Sequence, residues 1–151
     1  FPIPHDAVDP HGYVFTQRST GARCTYLTDT GFPTEFAREA AEGAETLILE
    51  SNHDVEMLKN GSYPYVLKQR ILSTRGHLSN NSAGWLLKQL KKLPEHVILA
   101  HLSQENNSPL LALNTVKQTL AEAHRLDETN LLVASQDHIV ANYQSIQSSM
   151  F

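Results

Sequence analysis

A length of 151 residues, with 40 % apolar, 19 % charged and 7 % aromatic side chains, suits one compact domain. It excludes a disordered tail, a collagen-like repeat or a disulfide scaffold. The formal charge of −4, from 12 basic and 16 acidic residues, argues against a protein that coats a polyanion but leaves room for a local basic patch.

Residues 12–16 and 22–28 read as two strands joined by a Ser-Thr-Gly turn. The lone thiol, Cys24, lies within the second strand as inert core. It has no internal disulfide partner, which fits a reducing compartment. Pro33 opens a helix on which Phe36, Ala37, Ala40 and Ala41 recur at helical spacing, and Gly43 is placed to end it. Residues 46–50 form a short buried strand. Residues 53–73 read as one or two helical pieces, broken near Asn60-Gly61 and Pro64. Residues 80–93 make a stronger helix, with Ala83, Leu86, Leu87 and Leu90 in one stripe and Trp85 packed in the core or between helices. Residues 96–100 are another apolar strand. Ser108 and Pro109 suit the N-cap and first turn of a helix to about Arg125, with Leu113, Val116, Leu120 and Ala123 on one face. Residues 130–135 are the last strand, and the Ser/Gln-rich tail from Gln144 frays. The domain is therefore expected over 1–143, with 144–151 as tail. Strands alternating with helices predict an α/β fold, and the opening hairpin makes its sheet mixed.

One pattern recurs along the chain. An apolar strand ends and an ionisable side chain follows: Asp29 after 24–27, Glu50 and His53 after 47–49, His101 after 97–100. In open α/β sheets the carboxyl ends of strands border the ligand crevice, so neighbouring strands would bring these groups together. His5 sits among stiffening prolines. His77 directly precedes a helix whose N-terminus suits phosphate. Simpler roles compete. Thr28-Asp29-Thr30-Gly31 also reads as a turn, and Ser51-Asn52 as a helix cap. His11, His96, His124 and His138 read as structural or solvent-exposed, and Arg18 and Arg23 as surface charges.

The series Pro4-His5-Asp6-Ala7, Thr28-Asp29-Thr30-Gly31, Glu50-Ser51-Asn52-His53-Asp54, Gly76-His77-Leu78-Ser79-Asn80 and Ala100-His101-Leu102-Ser103-Gln104-Glu105-Asn106-Asn107 resembles the metallo-β-lactamase superfamily. Within it, the series is most similar to the WalJ/YycJ group, which is related to ribonuclease Z and the metallo-β-lactamase nucleases. The resemblance runs from the first residues to about Ser135. It implies one half of a four-layer αββα sandwich, α/β (α+β), with a mixed sheet and flanking helices. It also implies that this is the C-terminal half. The superfamily's first half carries a His-x-His-x-Asp-His loop, and no such string occurs here.

By position, the resemblance makes His5, Asp29 and His101 metal ligands, with Asp29 bridging two ions. His77 becomes the residue that contacts the scissile phosphate or leaving group, supported by Glu50 and His53. A bridging carboxylate holds two cations roughly 3.5–4 Å apart, where they ionise water near neutral pH and offset phosphate charge. His and Asp ligands suit zinc or manganese. Ser79, Asn80, Ser103, Asn106 and Asn107 are candidates for holding phosphates. Asp6 is a candidate support for the His5 loop, and Lys68, Arg70 and Arg75 form a basic stretch suited to a nucleic acid backbone.

The implied function is a metal-dependent hydrolase, foremost a phosphodiesterase or exonuclease on DNA or RNA in the bacterial cytoplasm. The alternatives are a lactam or thioester hydrolase, and a metal-free regulatory or assembly module. No run approaches the roughly 20 apolar residues of a membrane span. The chain opens Phe-Pro-Ile-Pro-His, with neither Met nor a basic signal region, as a processed or excised piece would. With half of the ligands absent, the segment alone is expected to bind metal poorly and to be inactive. It is also expected to expose an apolar face where the other half packs, with homo-oligomers as one consequence.

Overall fold

The computed structural model describes residues 1–139, so the tail expected to fray from Gln144 lies outside the described residues. Strands β1 (Tyr13–Thr16) and β2 (Arg23–Leu27) form the predicted antiparallel hairpin. Strands β3 (Thr46–Glu50), β4 (His96–Ala100) and β5 (Asn130–Val133) follow in parallel, in the order β1-β2-β3-β4-β5. Helices α1 (Glu35–Glu42), α2 (Val55–Asn60), α3 (Tyr65–Leu72), α4 (Asn80–Gln89) and α5 (Pro109–Glu122) lie in the connections.

Local chemistry sets the boundaries. The side chains of Thr34, Asp54, Ser79 and Ser108 each accept a backbone N–H in the first turn of α1, α2, α4 and α5. Pro64 precedes α3, and Gly43 caps the end of α1. Helix α4 stops at Gln89, short of the expected Leu93, because the Leu90 N–H turns back to the Leu87 carbonyl. Helix α5 ends at Glu122 rather than near Arg125, for the Ala123 N–H closes on Leu120 and Ala121.

Alternation along the strands divides the sheet into two unlike faces. Leu27, Leu47, Leu49, Val97 and Leu99 are fully buried against Ala37, Ala41, Ala83, Leu86, Leu87, Val116 and Leu120 from the helices. On the other face the register aligns Tyr13, Tyr26, Ile48, Ile98 and Leu132, with Phe15 beside Cys24. None of these joins the core cluster, and Tyr13 and Phe15 are more than half exposed. A sheet with helices on one face and apolar side chains outside the core on the other has the form of one half of a layered sandwich.

Three core expectations shift. Trp85 is 51 % exposed, since it sits between the turns that carry the Ala83–Leu86–Leu87–Leu90 stripe rather than on it. Phe36 is likewise exposed, and alanines alone form the buried face of α1. On α5 the expected Val116 and Leu120 are fully buried, joined by Ala112, while Leu113 and Ala123 are only half-buried.

Candidate active site

The parallel register places Leu27 beside Leu49, and Glu50 beside Ala100. The loops leaving β2, β3 and β4 therefore start from one edge of the sheet. Backbone bonds then tie these loops together: Ser51 N–H to Ala100 O at 2.9 Å, Asn52 N–H to Leu78 O at 2.8 Å, and Ser103 N–H to Asn52 O at 2.7 Å. Asp29 and His101, the first charged or titratable residues past β2 and β4, both have φ of 57°. This left-handed backbone costs a non-glycine residue of order 1 kcal/mol and is characteristically retained at functional sites.

Glu50 is the hub. It is completely buried, and all four of its bonds go to donors. Its Oε2 accepts the N–H groups of Thr30 and Leu78, both at 3.0 Å. Its Oε1 accepts His77 Nδ1 at 2.8 Å and His101 Nδ1 at 2.6 Å. Burial alone would raise the pKa of this carboxyl. The hydrogen bonds from His101, His77 and the backbone outweigh burial and hold it at about 2. An ionised carboxylate only accepts, so both Nδ1 atoms carry protons and Nε2 of each ring is left for a ligand. The bond from Glu50 raises the pKa of His101.

Asp29 stands over this hub, about half exposed. Its Oδ1 lies 3.7 Å from His101 Nδ1, 3.8 Å from His77 Nδ1 and 4.0 Å from His5 Nε2. Donor atoms of Asp29, Glu50, His77 and His101 all fall within 4.8 Å of one another. His5 reaches the group on the N-terminal segment, which Gly31 N–H anchors at Pro4 O. His5 Nδ1 donates to Gly76 O at 3.1 Å, which leaves Nε2 facing the carboxylates of Asp6 and Asp29. The three imidazole rings line the site tilted at 55° to their neighbours, with centroids 5.1 Å apart for His5–His77 and 5.3 Å for His77–His101. Imidazoles held by their Nδ1 atoms beside an exposed carboxylate fit a divalent cation. A cavity of about 620 Å³ opens beside them, lined in part by His5, Asp6, His77, His101 and Ser103.

Not every expected site residue reaches this cavity. His53 is 1 % exposed, and neither of its ring nitrogens has a hydrogen-bond partner among the described residues. Burial pushes its pKa down to about 4. Asn80 and Asn107 face inward: Ser51 Oγ donates to Asn80 Oδ1 at 2.6 Å, and Asn107 Nδ2 donates to the Ser51 and Asn52 carbonyls. Ser79 is spent capping α4, and Asn106 is buried against Gly61. Asn80 and Asn107 thus knit the loops together, whereas Ser103 lines the cavity.

The basic stretch makes contacts within the protein, and Arg70 also lines the cavity. Arg70 pairs with Asp6, and Arg75 donates to the His5 carbonyl at 3.2 Å, so both clamp the His5 loop. Asp6 in turn lies 3.4 Å from His5 Nε2. Lys68 caps the carbonyls of Lys59 and Gly61. Sequence reasoning missed the two backbone N–H groups on Glu50 and the cavity wall supplied by Asn52, Tyr63, Leu67 and Ile71. The apolar i, i+4 pair Leu67–Ile71 was the available signal.

The titration of these groups fixes the sign of the pH dependence. His53 stays neutral in the fold down to about 4, while the unfolded chain takes up that proton near 6.5. Stability therefore falls as pH drops from about 6.5 to about 4. Glu50 adds a second loss between its ordinary value of 4.5 and about 2. The raised pKa of His101 acts the other way: its contribution is full at low pH and is lost as pH rises through its folded value. Thermal midpoints measured against pH should show an acid limb beginning near 6.5, and His53→Leu should remove its upper part. An unchanged limb in that variant would assign the effect to another group.

Comparison with known proteins follows the same lines. The chain is 39 % identical over 123 residues to an exodeoxyribonuclease YycJ of Bacillus anthracis, covering 81 % of this chain and 46 % of that protein. It is 42 % identical over 124 residues to an exodeoxyribonuclease WalJ of Streptococcus pneumoniae serotype 2 (strain D39), covering 82 % of this chain and 45 % of that protein. The chain thus spans just under half the length of the curated relatives it matches. No family model matches it. Among solved structures, a diphosphatase from the PhnP family superposes with a TM-score of 0.50 at 17 % identity, over 88 % of this chain and 38 % of that one, a likeness of fold.

Proposed function

The chain belongs to the metallo-β-lactamase superfamily, among WalJ/YycJ-like proteins, and from that premise we propose that it is part of a metal-dependent phosphodiesterase acting on nucleic acid. The observation that carries this reading is the meeting of His5, His77 and His101 with Asp29 above the buried Glu50. Asp29, His5 and His101 would hold the ions, with Asp29 shared between two. Two divalent cations of the zinc or manganese type, when bound, supply an ionised water and neutralise phosphate charge. The remaining ligands come from residues outside this sequence, in the other half of the sandwich, which covers the apolar sheet face. The chain alone is then inactive.

The protein's own part is positioning. Glu50 locks the rings of His77 and His101 by their Nδ1 protons, and His77 as an imidazolium, with a second proton on Nε2, would give that Nε2 proton to the leaving oxygen and return to the neutral ring. Ser103, in the cavity lining, offers a hydroxyl to a phosphate. The exodeoxyribonuclease names of the relatives favour DNA and cleavage from an end. The lone thiol of Cys24 and the bacterial relatives favour a cytoplasmic setting. No helix among the described residues is long and apolar enough to cross a membrane.

The test uses the complete gene product, end-labelled DNA and RNA, and a generic diester. His77→Ala should lower kcat by about 10²–10⁴-fold while leaving metal content unchanged. Undiminished turnover in that variant, or hydrolysis of lactam and thioester substrates alone, would refute the phosphodiesterase reading.

A further inference from the structure

The cavity beside the histidines has two unlike walls. One is polar, made by His5, His77 and His101. The other is mainly apolar: Tyr63 from the turn before α3, Leu67 and Ile71 from α3, and Leu102 from the loop after β4, with the Arg70–Asp6 ion pair at its side. Leu67 and Ile71 are one helical turn apart and share a face. Both are half-buried, whereas Tyr65 and Val66, on the far side of α3, are 74 % and 79 % exposed. Helix α3 buries no residue fully, so this face is not serving the core.

We propose that the Tyr63–Leu67–Ile71 wall is a base-binding subsite, which takes the unpaired nucleobase of the nucleotide whose phosphate sits at the histidine cluster. The proposal rests on the phosphodiesterase reading and names the form of its substrate. A phosphate held at the histidines carries its sugar and base into the same cavity. A volume of about 620 Å³ is in the range that holds a ligand of the size of one nucleotide. An aromatic ring with flanking aliphatic side chains is the surface on which any base stacks, whatever its sequence. The cavity is thus shaped for the last, unpaired nucleotide of a strand.

The test compares single-stranded oligonucleotides that differ only in one terminal nucleotide, natural or abasic, placed at either end. With the complete gene product, the abasic end should be removed with a kcat/KM about 10-fold lower than the natural one. Tyr63→Ala should abolish that ratio by slowing only the natural substrate, and Tyr63→Phe should preserve it, since stacking needs the ring and not the hydroxyl. Equal rates on natural and abasic ends in the unaltered protein would overturn the subsite while leaving the phosphodiesterase reading intact, whether or not Tyr63→Ala folds. Cleavage of neither substrate would overturn both.

Discussion

Replacing Glu50 by alanine should destabilise the fold by about 3–5 kcal/mol, the usual cost of removing one side of a buried charged pair. The carboxylate is fully buried, and four donors converge on it: the Thr30 and Leu78 N–H groups and the Nδ1 atoms of His77 and His101. Alanine leaves the two backbone donors without an acceptor and unlocks both rings. Glu50→Gln should cost less. One amide oxygen can still serve Thr30 and Leu78, but the amide nitrogen then opposes the imidazole N–H groups. Urea unfolding of the three proteins measures the order. Ring signals of His77 and His101 in ¹⁵N spectra show whether the imidazoles lose their Nδ1 protons. A Glu50→Ala variant as stable as its parent, with unchanged ring tautomers, would remove Glu50 from the centre of the site.

The second large effect is expected at Gly76, for reasons of backbone approach rather than charge. A Cβ built there meets the carbonyl oxygens of Arg70 and Ile71 well inside van der Waals contact, and the Gly76 N–H already bonds to Ser73 O. Neither obstacle is a movable side chain. From the other side, a Cβ on Gly31 would meet Gly76 N at 2.5 Å. Gly76→Ala must therefore push apart the end of α3, the Asp29 loop and the segment that carries His5, whose Nδ1 donates to Gly76 O. A loss of about 1–3 kcal/mol or more is expected from the overpacking, together with displacement of His5 from Asp29. Thermal unfolding reads the first effect, and the chemical shifts of His5 read the second. An alanine accommodated without either change would mean that the loop yields more readily than its contacts indicate.

Much of this site was legible because its ingredients are local. Short apolar runs ending in an ionisable residue mark strands β2, β3 and β4 and the groups at their ends, and parallel register does the rest. The pairing of Glu50 with His77 was expected, but not that the same oxygen also holds His101. That second bond depends on how closely two loops approach, which no spacing encodes. Asn80 and Asn107 show the opposite difficulty. An amide next to a suspected site reads as a ligand-binding group, while the fold turns both inward to satisfy loop carbonyls and each other. Arg70 and Arg75 were read as backbone-tracking charges, and both also hold the His5 loop, with Arg70 in the cavity lining. Trp85 lies one residue off a stripe that was otherwise correctly placed.

The central claim, that His5, Asp29 and His101 share one cation-binding locus with His77 beside it, is open to a single titration. Substoichiometric manganese added to the ¹⁵N-labelled chain broadens nuclei near the bound ion even when binding is weak. The ring signals of His5, His77 and His101 and the backbone amide of Asp29 should broaden first and together, before those of His11, His96 and His124. Broadening centred on those other histidines, or spread evenly over the chain, would contradict it.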